Sequence, residues 1–409
     1  MRKYLTVLII WILTAGLSAC SSESKDEGSE YVWDTTQFVD TDTWDNENYD
    51  PGMPADSDSV AANADTEVTL DVTVKSVAMW RDDRNAAYSI IHDDVCDWST
   101  MGIETNWVEL QKRNLVGGFG VIVSACNERE DEGDELYKLL KKMTAWGNEI
   151  INHSYTHPSG SDGKGILSDG VDVEYEIITS NSDLEKAIGS TVEYFVFPLD
   201  SYDDAILTYL KEHDFLGARG GIRGVGEDVL DATDELAPFR ANFDCFNENR
   251  NKEKEDNCSK YDEDTLKQYL DDVIAQKVSG IREFHNIGDS GWGNVTLPQY
   301  SEHLDYVAKK VEENKLWVDT PLNVMKYRAA RAYCGKASAD NGVVSFEKSD
   351  DEMCIKYSIP LTVKFDYSGK DVPSCVQGNR FVDVKKTGDL NYMGDINPAG
   401  GPAYIIPSK

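Results

Sequence analysis

His153 and His157, four residues apart in Asn152-His153-Ser154-Tyr155-Thr156-His157-Pro158, are the side chains of this sequence best placed to do chemistry together. If the segment curls into a helical turn, both imidazoles leave one face and can bind a single cation. The preceding run Gly147-Asn148-Glu149-Ile150-Ile151 reads as a short strand. That puts the pair at a strand's carboxyl end, where α/β folds keep their chemistry. The spacing alone also fits a solvated helix face. Upstream, Ile90-Ile91-His92-Asp93-Asp94 ends a second apolar strand in two adjacent carboxylates, which are costly to bury unless something pairs with them. A cation held by one carboxylate and two imidazoles resolves that cost and leaves coordination positions open for water and substrate. A third histidine, His285, ends the strand Gly280-Ile281-Arg282-Glu283-Phe284.

The elements that must position these side chains repeat regularly. Strands are expected at 86–91, 118–124, 149–152, 193–197, 215–218, 280–285 and 316–318. Helices are expected at 134–145, 172–188, 201–213, 262–277, 298–313 and 321–331. Such βα repetition implies a parallel sheet, and seven or so units favour a distorted, incomplete (β/α) barrel over an open sheet. The acidic pair, the histidine pair and His285 then fall on one face of that barrel. Globular structure is expected to begin near Thr66, where Val68, Leu70, Val72 and Val74 alternate with polar residues. After residue 333 short strands separated by turn residues suggest a small β-sandwich-like module, 334–409, bracing the 66–333 barrel.

The chain opens with Met1-Arg2-Lys3, an apolar run over 4–16 and Leu17-Ser18-Ala19-Cys20, the pattern of a secretory signal over 1–19. The quartet resembles a bacterial lipobox, which implies cleavage before Cys20 and lipidation of that residue. Residues 20–65 are acidic and nearly free of apolar periodicity, as expected of a disordered tether. The expectation is thus an extracytoplasmic protein held to a bacterial envelope through a lipid anchor only. A net charge of -34 argues against nucleic acid as a partner. Using Cys20 for lipid leaves seven cysteines. Cys245 and Cys258 flank a polar insertion they could close, and Cys96 and Cys126 could bridge neighbouring loops. Among Cys334, Cys354 and Cys375 one must stay free or pair elsewhere. No C-x-x-C occurs, which makes a thiolate zinc site a poor fit.

Over roughly residues 80 to 333 the sequence resembles the NodB-type polysaccharide deacetylases, carbohydrate esterase family four. His153-Ser154-Tyr155-Thr156-His157 matches the H-S-x-x-H motif, and Asp93-Asp94 the paired-aspartate motif. The resemblance implies that Asp94, His153 and His157 bind a divalent metal, usually zinc. It further implies Asp93 as general base and His285 as general acid. A metal lowers the pKa of bound water and polarises an acetyl carbonyl, so attack becomes feasible at neutral pH. Two departures stand out. His92 occupies the usual phenylalanine position, where packing is its default role. Phe195-Val196-Phe197-Pro198-Leu199-Asp200 keeps the third motif's proline but lacks its arginine. Arg219, at the next strand's end, is a candidate to orient Asp93 instead; a surface arginine is the competing reading. Pro198 and Leu199 are placed at the substrate, and Trp292 and Trp317 could stack on sugar rings. The expected activity is metal-dependent hydrolysis of N- or O-acetyl groups on an acetylated polysaccharide. Two alternatives stay open: a catalytically degenerate glycan-binding lipoprotein, and a metal-dependent hydrolase of another bond.

Overall fold

The computed structural model describes residues 71–97, 103–129, 133–247, 259–260, 265–288, 293 and 295–407. Cys20, the acidic tether, Cys258 and Trp292 lie outside the described residues, as does the side chain of Cys245.

In chain order the elements through the barrel are β1 (Val72–Val77), β2 (Ala86–Val95), α1 (Ile103–Gln111), β3 (Gly118–Val121), α2 (Val123–Glu128), α3 (Gly133–Ala145) and β4 (Glu149–Asn152). They continue with α4 (Ser180–Ile188), β5 (Tyr194–Val196), α5 (Asp204–Glu212), β6 (Gly217–Arg223), β7 (Ala241–Asn247) and the two-residue β8 (Ser259–Lys260). Next come α6 (Thr265–Gln276), β9 (Ser279–Phe284), α7 (Leu297–Glu312), β10 (Leu316–Val318) and α8 (Pro321–Tyr333). Strands β2, β3, β4, β5, β6, β7 and β9 pair in parallel and return to β2, a closed ring one strand short of eight. One expected member is corrected: β10 pairs with Ala86–Tyr88 beside the ring rather than within it. Its place is taken by β7, whose polar Asn242 and Asp244 hid a strand from a reading that looked for apolar runs.

Local sequence explains the helix starts. Thr296 and Gln299 form a capping box ahead of α7, and the Asp203 side chain accepts from the Ile206 N–H at the start of α5. The strand expected through 124 stops at Val121 because α2 starts at Val123. The helix expected over 172–188 begins instead as a π turn, Tyr175–Thr179, before α4.

Ile91, Ile151, Tyr194, Val196, Phe243 and Ile281 fill the barrel interior together with Met325, Ala329 and Tyr333 of α8. The same helix turns Val324, Tyr327 and Ala330 toward a second core. Apolar residues on two sides of one helix thus join the barrel to the C-terminal module.

That module continues with β11 (Ala337–Asp340), β12 (Val343–Phe346), α9 (Glu352–Lys356), β13 (Leu361–Tyr367), β14 (Pro373–Gln377), β15 (Arg380–Val382), β16 (Val384–Lys386), β17 (Asn391–Ile396) and β18 (Ala403–Pro407). Its two sheets run β1-β13-β17-β16 and β11-β12-β18-β14-β15. Strand β1 therefore belongs with the sandwich sheet, antiparallel to β13, and not with the barrel in which the 66–333 reading placed it. Cys96 pairs with Cys126 and Cys334 with Cys354, leaving Cys375 free and buried. No described helix is long and apolar enough to cross a membrane.

Candidate active site

Asp93 and Asp94 are adjacent, and in a regular strand adjacent side chains leave opposite faces. The chain avoids this with a bulge. His92 pairs with Phe119 and Val95 with Val121, so three steps on β2 match two on β3, and Asp94 adopts a left-handed φ of 57°. Both carboxylates can then address the same end of the barrel. Its neighbour His92 turns the other way. Its ring stacks on Phe119 and Phe284 at 5.1 and 5.7 Å, its Nδ1 accepts from Asn106 Nδ2, and its Nε2 lies 2.8 Å from the Tyr300 hydroxyl. His92 packs, and burial lowers its pKa to about 3, so it stays neutral.

The histidine pair sits on a loop after β4. Ser154 and His157 take φ values of 69° and 52°, a conformation costing a non-glycine residue about 1–3 kcal/mol. Ser154 N–H donates to Asn152 Oδ1 and His157 N–H to Ser154 Oγ, both at 2.9 Å. His153 Nδ1 lies 2.9 Å from the Val196 carbonyl, to which it donates. Burial disfavours the charged ring, but Asp94 and Asp93 outweigh it and raise the His153 pKa, so without a cation Nε2 carries a proton toward Asp94 and with one it would offer its lone pair. That Nε2 is 3.2 Å from Asp94 Oδ1, and His157 Nε2 is 3.4 Å from the same oxygen. The three ligand atoms lie within 4.8 Å of one another. Burial, then His153, lowers the His157 pKa to about 4, leaving its lone pair free at neutral pH. Burial works against the Asp94 carboxylate, but the His153 hydrogen bond and the nearby imidazoles hold its pKa well below the usual range. Two imidazole nitrogens and a carboxylate oxygen converging on one point, with a single exchangeable proton on His153 between them, form a donor set that fits a divalent metal.

Beside it, Asp93 is buried, with Oδ2 2.7 Å from Arg219 Nη2 and Oδ1 without a hydrogen-bond partner among the described residues. Gly120 keeps that space open, since a Cβ there would come within 3.2 Å of Asp93 Oδ1. Arg219 is no surface residue: it is 1% exposed and stacks on Phe243. Its Nη1 binds Glu283 Oε2 at 2.6 Å, and its Nη2 reaches Asp200 Oδ1 at 3.1 Å. Arg223 binds the other Asp200 oxygen at 2.5 Å and lies over the same Phe243 ring. Glu283 Oε1 stands 3.2 Å from His285 Nδ1, and His285 Nε2 is 3.7 Å from Asp94 Oδ2. Burial outweighs Arg219 and His285 and raises the Glu283 pKa. Sequence reasoning assigned no role to Glu283, Asp200, Arg223 or Phe243. A signal existed for the first: Glu283 and His285 are two apart at a strand's end, hence on one face.

Of the residues expected at the substrate, Trp317 is corrected. Pro198 is buried, whereas Leu199, with a φ of 55°, is 48% exposed. Trp317 is 8% exposed, packs on Tyr327 at 5.1 Å, and pairs beside Ala87, at the end of β2 away from the aspartates, so it cannot stack on a sugar held there.

Fold and site together define a parallel (β/α) barrel with an Asp-His-His cluster, an arginine-held carboxylate and a third histidine at the carboxyl ends of its strands. Residues 110–218 match the family model described as polysaccharide deacetylase, a stretch holding His153 and His157 but neither the aspartate pair nor His285. No curated protein matches the sequence significantly. Among solved structures the chain is similar to a candidate polysaccharide deacetylase from Mycobacterium smegmatis, at 13% identity and a TM-score of 0.46, covering 64% of this chain and 96% of that one. It is also similar to a family 4 acetyl xylan esterase from Clostridium thermocellum, at 16% identity and a TM-score of 0.34, covering 58% and 89%. A third, a family 4 pseudoenzyme from Bacillus anthracis, shows 15% identity and a TM-score of 0.38, covering 59% and 66%. Over residues 110–218 the chain is thus similar to the polysaccharide deacetylases, the family its motifs resemble.

Proposed function

We propose that this protein hydrolyses acetyl groups from an acetylated polysaccharide, with a divalent cation held by Asp94, His153 and His157. One observation carries the reading: a two-imidazole and carboxylate donor set, Asp94, His153 and His157, lies beside a buried carboxylate, Asp93, whose Oδ1 has no hydrogen-bond partner among the described residues. A bound zinc ion would supply acidification of water and polarisation of the acetyl carbonyl. Asp93, fixed through its other oxygen by Arg219, takes the proton of the attacking water at Oδ1. His285, whose Nδ1 stands 3.2 Å from Glu283 Oε1, gives a proton from Nε2 to the departing amine or alcohol.

The test is acetate release from acetylxylan, chitooligosaccharide and peptidoglycan, with zinc and with chelator. Chelator-sensitive release from one polymer supports the proposal and names the substrate. Asp93→Asn is expected to keep zinc and lose turnover by at least about 10²-fold, within the range general-base catalysis supplies; His153→Ala is expected to lose both. Metal binding without acetate release from any polymer would favour the glycan-binding alternative.

A further inference from the structure

The loop that carries the histidine pair is not held by its own residues alone. Between His153 and His157 stand Tyr155 and Thr156, whose backbone N–H groups both donate to one carboxylate oxygen, Glu176 Oε2, at 3.0 and 2.8 Å. The Thr156 hydroxyl donates to the other, Oε1, at 2.6 Å, and Tyr155 N–H also reaches the Glu176 carbonyl at 3.1 Å. Glu176 itself is 5% exposed, so its carboxylate has little access to water as a competing partner. It sits in the π turn Tyr175–Thr179, where the widened backbone also exposes the Ile177 carbonyl to Asn152 Nδ2 at 2.9 Å. Asn152 in turn holds Ser154 and Ser180. The π turn thus grips both shoulders of a loop that contains two left-handed non-glycine residues, Ser154 and His157.

We propose that Glu176 is a positioning residue for the cation site: its carboxylate holds the peptide units between His153 and His157 in the strained shape that aims both Nε2 atoms at Asp94. The inference rests on the proposed reading of Asp94, His153 and His157 as cation ligands. It concerns how tightly the site binds metal, not what reaction follows. Without the carboxylate the Thr156 N–H loses its acceptor and the Tyr155 N–H keeps only the Glu176 carbonyl, so the loop is free to relax toward ordinary φ values. The histidines then separate before any metal arrives.

The experiment measures zinc affinity of the full chain by competition with a chromogenic chelator, alongside circular dichroism to confirm folding. Glu176→Ala is expected to weaken zinc tenfold to a hundredfold, the range seen when a group supporting metal ligands is removed. Glu176→Asp, which withdraws the carboxylate by one methylene, is expected to weaken it several-fold and serves as the test if the alanine variant does not fold. Glu176→Gln can accept from both N–H groups and donate to Thr156 Oγ, and is expected to restore affinity to within about threefold of the parent. A purely structural role would lower thermal stability while leaving the zinc affinity of the folded protein unchanged. Zinc affinity within twofold of the parent in the folded alanine or aspartate variant overturns the inference. A parent that binds no zinc overturns the proposed function itself. Glu176-dependent zinc binding without acetate release leaves this inference standing while removing the deacetylase reading.

Discussion

Arg219→Lys probes the centre of the site most directly, because it keeps the positive charge and removes only the fork. In the parent, Nη2 serves Asp93 at 2.7 Å and Asp200 at 3.1 Å while Nη1 serves Glu283 at 2.6 Å. Three carboxylates are thus bound by two nitrogens held coplanar and a fixed distance apart. A lysine offers one nitrogen, which cannot stand in hydrogen-bond range of both Asp93 and Glu283 unless one of them moves. At least one buried charge-assisted bond is lost, worth about 1.5–3 kcal/mol. Part of that loss is offset because Glu283, whose pKa burial already raises, can take up a proton. A net destabilisation of about 2 kcal/mol is expected in urea unfolding. The effect on turnover is larger in proportion. A shift of about 1 Å in a catalytic group costs on the order of 10²-fold, so kcat should fall by that factor. KM should stay within a small multiple of the parent's, since Arg219 is shut off from solvent beneath Asp93. The assays are acetate release with zinc present and equilibrium unfolding of the same preparations. An Arg219→Lys protein with the parent's kcat and unfolding midpoint would refute the claim that the fork sets the position of Asp93.

Two further outcomes concern stability. Glu149, whose Oε1 is buried without a hydrogen-bond partner among the described residues and whose Oε2 accepts from the Leu322 N–H, has its pKa raised by burial from 4.5 to about 8. The folded protein then keeps a proton that the unfolded chain has released, so this stability is fully present below pH 4.5 and is lost as pH rises through 8. Glu149→Gln should flatten that slope and leave the variant more stable than the parent at pH 9, by up to a few kcal/mol in urea titrations at several pH values; parallel pH profiles would count against it. Removing the Cys96–Cys126 bridge, which joins positions 30 residues apart, with the Cys96→Ser, Cys126→Ser pair should cost about 3–4 kcal/mol of unfolding free energy. An unchanged urea midpoint would show that the bridge constrains nothing in the unfolded chain.

The sequence by itself determined the parts of this protein that depend on local pattern. Apolar strands separated by amphipathic helices made a parallel barrel the expected frame, and strand-end residues such as Asp93, Asp94, His153, His157 and His285 could be named because a barrel gathers strand ends on one face. The Cys96–Cys126 pairing was also legible as an option. What tertiary structure decided were contacts with no fixed spacing along the chain. Arg219 could be read as a candidate or as a surface residue; only closure of the barrel placed its guanidinium among Asp93, Glu283 and Asp200, which come from three other parts of the sequence. The closing strand β7 escaped notice because three of its seven residues, Asn242, Asp244 and Asn247, are polar, the one charge among them, Asp244, being paired with Arg282. Strand β1 alternates like any half-buried strand, and alternation does not say which sheet receives it. Trp317 shows the same limit: a tryptophan suits a sugar cleft or a core equally well by composition. Its strand's register with Ala86–Tyr88, far along β2 from the aspartates, assigned it to the core. Spacing along the chain fixes which face a side chain leaves, whereas the partner it meets depends on distant segments brought together by burial of their apolar faces.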